Sequence, residues 1–300
     1  MRFVVTGANG YIGSNFIRRI LMYGHQVIAI DFMECHLPMH ENMVYIQTDF
    51  EALRNHPPEV LTKMPLDALY HFAWAGVGAT NRNDYMLQSK NIMLTLDVLM
   101  LSRQIAVSKV IIPGSASEYA AGAQPITGIG APAPIDAYGA MKAACHVICD
   151  SFARQYEIPL LWAVISSVYG PGRDDNNVLS YVIKTLLTRQ RPSLTRLEQI
   201  WDFIYIDDLV EAMYLLAQNG TPRKTYAIAS GEPRSLSSYI YAIRDAIDPD
   251  LPLGIGEIPY KNGVPDNCVL DIKELMRDTG FAPAVSFEDG IARTILFFKG

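Results

Sequence analysis

The chain is most constrained at its start. A β-branched run over residues 3–6 passes directly into Gly7-Ala8-Asn9-Gly10-Tyr11-Ile12-Gly13, with glycines three and three residues apart. Each glycine permits a tight turn or a close backbone approach, so N–H groups and the N-terminus of the next helix can face an anionic diphosphate. Glycine spacing alone is common; a strand before it and a helix after it give it meaning, and both are legible here.

Further β-like runs follow at residues 26–30, 44–47, 68–71, 109–112 and 160–165, and helical patterns from about Tyr11, around Leu94 and around Met141 separate most of them. That alternation predicts an α/β chain with a Rossmann-type, doubly wound parallel sheet. The pattern loosens after Tyr169-Gly170-Pro171-Gly172, with helical stretches at 178–187, 207–217, 235–247 and 287–297. The expected division is a dinucleotide-binding domain over 1–170, to which 201–219 returns, and a smaller C-terminal substrate-binding lobe over 171–300. With 300 residues, half of them apolar, the chain can bury a large core.

The net charge of −6 leaves no basic stripe to follow a phosphate backbone, which argues against a nucleic-acid partner. The apolar run 209–217 is far shorter than a bilayer span, so no membrane segment is expected. Met1-Arg2-Phe3-Val4-Val5 enters the first strand without the sections of a signal peptide, and a cytoplasmic location is expected. Cys35, Cys145, Cys149 and Cys268 are scattered, which reads as reduced thiols. Cys145 and Cys149 lie one helical turn apart, but no second ligand pair completes a metal site, so packing is the expectation.

Asp31 ends the second strand eighteen residues past Gly13. A carboxylate there accepts hydrogen bonds from the adenosine ribose hydroxyls and repels a 2′-phosphate. At an effective dielectric near 20, like charges about 4 Å apart cost on the order of 4 kcal/mol. No Lys or Arg lies between Asp31 and Arg54 to offset this, which favours NAD over NADP.

Tyr138-Gly139-Ala140-Met141-Lys142 places a phenol and an ammonium on one helix face. To act as a base near neutral pH the phenol must fall by roughly 3 pH units, about 4 kcal/mol, and a neighbouring cation is the expected cause. The strand before that helix delivers Pro113-Gly114-Ser115-Ala116-Ser117-Glu118-Tyr119 at its carboxyl end, where open α/β sheets place reactive groups. Ser115 is expected to share a proton with Tyr138, and Ser117 to touch a sugar.

Taken together, TGANGYIG at 6–13, Asp49-Phe50, His71-Phe72-Ala73-Trp74, GSASEYA at 114–120, YGAMK, VYGPG at 168–172 and WDFIYIDD at 201–208 resemble the extended short-chain dehydrogenase/reductase family, in its NAD-dependent sugar-nucleotide epimerase/dehydratase branch. The resemblance implies that Ser115, Tyr138 and Lys142 are catalytic. It implies that Gly7, Asn9, Gly10, Tyr11, Ile12, Gly13, Asp31, Asp49, Phe50, Phe72, Ala73, Trp74 and Asn91 surround NAD. It also implies that Ser117, Ser167, Asn177 and Trp201 face the substrate, and that a homodimer forms through the helices holding residues 92–101 and 145–152. His71 reads equally as a packed core histidine and is given no catalytic role.

Dehydratases of this family carry an acidic pair directly after the catalytic Ser or Thr; this chain has Ala116 and Ser117, with Glu118 one position late, which disfavours water elimination. The resemblance therefore implies an epimerase of a nucleotide-diphosphate sugar that oxidises a hydroxyl transiently. The alternative is a 4-ketoreductase of a nucleotide-linked deoxysugar. A dinucleotide sensor without turnover would lack Tyr or Lys. Ser167 and Ile165 stand where an Asn and an Arg are frequent in such epimerases, and Trp201 replaces the Arg that grips the diphosphate, leaving Arg173, Arg189, Arg191, Arg196 and Arg234 as candidates for that grip.

Overall fold

The structure, a computed structural model, describes residues 1–78, 80–119, 125–173, 177–260 and 267–300. Seven parallel strands make the central sheet: β1 (Arg2–Thr6), β2 (Gln26–Asp31), β3 (Met43–Gln47), β4 (Ala68–His71), β5 (Val110–Ser115), β6 (Leu160–Ile165) and β7 (Thr225–Ile228). Their order is β7-β6-β5-β4-β1-β2-β3. Helices cover both faces of a parallel sheet, so its strands read as continuous apolar runs; all six residues of β6 are buried. The strand order reverses between β1 and β4, and their carboxyl ends open on one edge, where Thr6 lies beside His71.

Two strands differ from the sequence reading. β5 runs on through Pro113, Gly114 and Ser115, which pair in register with Ala163, Val164 and Ile165, so Ser115 is the last strand residue rather than part of a loop. The seventh strand, β7, comes from beyond the 201–219 segment expected to return and pairs with β6.

Helices α1 (Tyr11–Met22), α2 (Tyr85–Gln104) and α3 (Ala137–Gln155) follow β1, β4 and β5. Asp84 starts α2 by accepting the Leu87 N–H at 3.0 Å, and Asp136 starts α3 by accepting the Gly139 N–H at 2.7 Å. The longer of the later helices are α4 (Val178–Leu187), α5 (Ile206–Asn219), α6 (Leu236–Ile247) and α7 (Phe287–Lys299). Small strand pairs tie the lobe together: Ser167–Tyr169 with Phe203–Tyr205, Ile200–Trp201 with Arg234–Ser235, and Ser193–Leu194 with Gly254–Ile255. No described helix is long and apolar enough to cross a membrane. Cys145 and Cys149 are fully buried thiols with sulfurs 3.7 Å apart.

Candidate active site

The cradle at the end of β1 is main chain packed on main chain. Gly7 has φ +73°, and a Cβ there would lie 2.5 Å from the Ala73 nitrogen; a Cβ on Gly13 would lie 2.2 Å from the Gly7 carbonyl oxygen. Neither position admits a side chain. Gly10 is the N-cap of α1 with no side-chain hydrogen bond, and no acidic residue occupies the first turn, so the helix start keeps its affinity for an anion. Tyr11 and Ile12, the first two helical residues, are partly buried against the core. The donor set fits a dinucleotide pyrophosphate.

Asp31 is nearly buried and accepts the Asn9 and Met33 N–H groups at 3.0 and 3.2 Å. Those bonds fix the carboxylate beside the cradle, and no Lys or Arg follows before Arg54, so the charge pattern suits unphosphorylated ribose. Asn9 itself points elsewhere. Its side chain bonds Glu34 O, the Tyr45 hydroxyl and the His36 N–H, lacing the loop after β2.

Several residues expected around the cofactor act through the backbone they support. Phe50 is buried with its ring edge-on to His71, and Phe72 stacks on Tyr70 at 5.6 Å, so both rings pack into the core. Asp49 caps its helix through the Ala52 N–H at 2.7 Å. Asn91 is 1% exposed and clasps Ala75 through both backbone atoms, at 2.8 and 3.1 Å, so it shapes the loop after β4 from below. His71 is buried between Thr6 and Thr95, and burial pushes its pKa down to about 3, leaving a neutral core imidazole.

Ala73 touches the cradle, and the next residue, Trp74, reaches α3. The Trp74 ring meets the Tyr138 ring edge-on at 6.1 Å, and the Lys142 ammonium lies 3.7 Å from the Trp74 ring centroid. The Ser115 side chain lowers the pKa of the Tyr138 phenol. Lys142 Nζ donates to Pro113 O at 2.8 Å. The ammonium therefore sinks between α3 and β5, where a carbonyl and an aromatic face receive it, and does not lie on the phenol as the helical spacing predicts. Burial lowers its pKa to about 8. The cation on the Tyr138 ring is Arg82, 4.3 Å from the centroid. Burial raises the phenol above its ordinary pKa, opposed by the polar Ser115 side chain and by the positive charge of Arg82.

Behind Ser115 lies a buried carboxylate. Glu118 is fully buried; its carboxylate accepts the Ser115 N–H at 2.7 Å and the Trp162 Nε1–H at 3.2 Å, and lies 3.0 Å from His146 Nδ1. His146 stacks on Trp162 at 4.4 Å. A Cβ on Gly114 would lie 2.1 Å from Trp162 Nε1, so only glycine leaves room for this packing. Ser115 and Glu118 form a capping box, a serine followed three residues later by a glutamate, and that signature was readable in the sequence. Ala120, the last residue of the 114–120 motif, lies outside the described residues. Ser117 Oγ accepts a hydrogen bond from Arg82 at 2.6 Å.

Next to this edge lies a largely apolar cavity of about 480 Å³ whose lining includes Ser167, Arg173, Asn177, Leu197, Trp201 and Phe203. Trp201 Nε1 donates to Ser167 Oγ at 2.9 Å, while Asn177 caps α4 through the Leu179 and Ser180 N–H groups. Of the five candidate arginines only Arg173 lines the cavity. Arg189 and Arg191 pair with Asp248 and Glu257 at the surface, Arg234 pairs with Glu232 and Glu288, and Arg196 is exposed. Among the described residues no cluster of His, Cys, Asp and Glu could hold a metal ion.

The profile of the NAD dependent epimerase/dehydratase family matches residues 3–229, which span the cradle, Ser115, Tyr138 and the Trp201 segment. The chain belongs to this family. Two relatives show how broad that kinship is. The probable UDP-glucuronate 4-epimerase of Rhizobium meliloti (strain 1021) is 25% identical, with 99% of this chain and 97% of that protein covered. GDP-mannose 3,5-epimerase 1 of Oryza sativa subsp. indica is 27% identical, covering 100% and 82%. The crystal structure of UDP-glucuronic acid 4-epimerase from Bacillus cereus, in complex with UDP-glucuronic acid and NAD, shares the fold with a TM-score of 0.85 at 22% identity, covering 100% and 99%. This epimerase/dehydratase family member thus shares the fold over its full length at 22% identity.

Proposed function

We propose that this protein is an NAD-dependent epimerase of a nucleotide-diphosphate sugar. The observation that carries the reading is the meeting of Tyr138 and Lys142 on the Trp74 ring at the carboxyl edge of the sheet, next to Ala73, whose nitrogen a Cβ on Gly7 of the cradle would strike. The named relatives, epimerases of UDP- and GDP-sugars, support the same class.

Held on the cradle and beside Asp31, NAD would supply a hydride acceptor and donor. Tyr138 Oη takes up the proton of the substrate hydroxyl and returns it, and Ser115 Oγ shares that proton and orients the reacting oxygen. Lys142 holds the Pro113 carbonyl and the Trp74 face, fixing the floor on which a nicotinamide ribose would lie. Glu118, the one carboxylate in the segment after Ser115, is buried behind the site with its oxygens committed, so elimination of water lacks its acid. The cavity under Trp201 would take the nucleotide, with Arg173 as its diphosphate partner. Residues 1–170 together with the returning segment form the dinucleotide domain in this reading, and the rest forms the substrate lobe.

A cytoplasmic homodimer completes the proposal. Helices α2 and α3 pack side by side and present Met93 at 61% and Val147 at 62% exposure, an apolar face for a twofold partner. The function is tested by denaturing the purified protein, identifying any released dinucleotide, and following UDP- and GDP-sugars by proton NMR. Stoichiometric NAD and conversion of one sugar to its epimer are expected. Consumption of added NAD(P)H with a 4-keto sugar nucleotide, with no epimer formed, would replace this reading by that of a ketoreductase.

A further inference from the structure

We propose that Arg82 is the cation that sets the acidity of the Tyr138 phenol, a positioning residue held over the ring by Asp136 and Ser117. The inference rests on the reading above that Tyr138 is the base. The guanidinium is fixed on three sides. Its carbon stands 4.3 Å from the Tyr138 ring centroid, Nη2 donates to Ser117 Oγ at 2.6 Å, and Nε donates to the Asp136 carboxylate.

Asp136 also caps α3, the helix that carries Tyr138, through the Gly139 N–H, and Asn83 Oδ1 accepts the Ala137 N–H at 3.3 Å. The loop bearing Arg82 is thereby tied to the first turn of the catalytic helix, so cation and phenol keep their spacing when either element shifts. A cation on an aromatic face favours the more electron-rich phenolate over the phenol.

The charged and titratable groups around the phenol come from four directions. Ser115 and the buried Glu118 come from the end of β5, Asp136 and Lys142 from α3, Arg82 from the loop after β4, and Arg173 from the segment after Tyr169. Lys142 is turned to Pro113 O and Trp74, and its pKa of about 8 means that it loses charge as pH rises through the range in which a phenol begins to ionise. Arginine stays protonated throughout. Ser115 favours ionisation of the phenol as a neutral polar group, Glu118 opposes it, and Arg82 is the permanent charge in direct contact with the ring.

The test is the Tyr138 midpoint in the full-length protein, as purified with its dinucleotide, labelled with ¹³Cζ-tyrosine. With 16 tyrosines in the chain, the Tyr138 resonance is assigned by its disappearance in Tyr138→Phe. Arg82→Met is expected to move the midpoint up by about one pH unit. Arg82→Lys is expected to restore it to within about 0.3 unit, and the acidic limb of the kcat/KM profile should follow the same order. Arg82→Gln reads the same midpoint if the Met variant does not fold.

An unmoved midpoint in Arg82→Met or Arg82→Gln overturns the proposal, as does a midpoint that moves with Lys142→Met and not with Arg82. Retained turnover in Tyr138→Phe would refute the function proposed above, while the NMR midpoint would still decide the role of Arg82.

Discussion

Around Gly7 and Gly13 the site is built of main chain, whereas the cavity beneath Trp201 is built of side chains, and the two have different tolerances. In the cradle a single added carbon would sit 2.2 to 2.5 Å from backbone atoms, which cannot step aside. In the cavity, Trp201 and Ser167 form a hydrogen-bonded pair of side chains, either of which can be exchanged without moving the main chain. A backbone-built site constrains which residue types can stand in the sequence, while a side-chain-built site can be refitted one residue at a time.

The sharpest way to break that contrast is to attack the chemistry between the two regions. Tyr138→Phe is expected to cut turnover by about 10²–10⁴ while leaving dinucleotide retention intact, measured by sugar NMR and by dinucleotide release. Gly13→Ala is expected to weaken dinucleotide retention by at least about 100-fold, read by equilibrium dialysis; unchanged retention would show that the cradle is softer than its contacts indicate.

Lys142 tests the floor between the regions through pH. Its pKa in the fold, about 8, lies below the 10.5 of an unhindered lysine. The unfolded chain then binds the extra proton between those values, so wild-type stability rises with pH there. Relative to Lys142→Met, the gain should be about 2 to 3 kcal/mol between about pH 7 and pH 10, measured by denaturant midpoints, and a flat difference would contradict the burial argument.

On the side-chain half, Trp201→Ala should raise KM for the sugar nucleotide about tenfold with little change in kcat, since it removes ground-state binding surface far from the phenol. Arg189→Ala, at an exposed ion pair, should change both stability and KM by less than about 0.5 kcal/mol.

The same division governs what could be read from the sequence. The strands at 26–30, 68–71 and 160–165, the glycine turn and the Tyr138 helix were legible because each imposes a residue pattern on its own segment. β7 was not, since four residues, Thr225–Ile228, become a strand only by pairing with β6. Side-chain direction was equally hidden. Spacing placed Lys142 on the face of Tyr138, yet a buried ammonium goes to the acceptor it can reach, and that is Pro113 O. Asn9, Phe72 and Asn91 stand at the expected positions in the chain and support the pocket through loop contacts and core packing. The Arg82–Asp136 corner joins residues 54 positions apart, with no motif to announce it.

By holding the Ser115 peptide and lying against His146 of the Tyr138 helix, the buried Glu118 works as a strut between the end of β5 and α3. In the proposed reading, exchanges at the Trp201 cavity would then leave the spacing of Ser115 and Tyr138 unchanged.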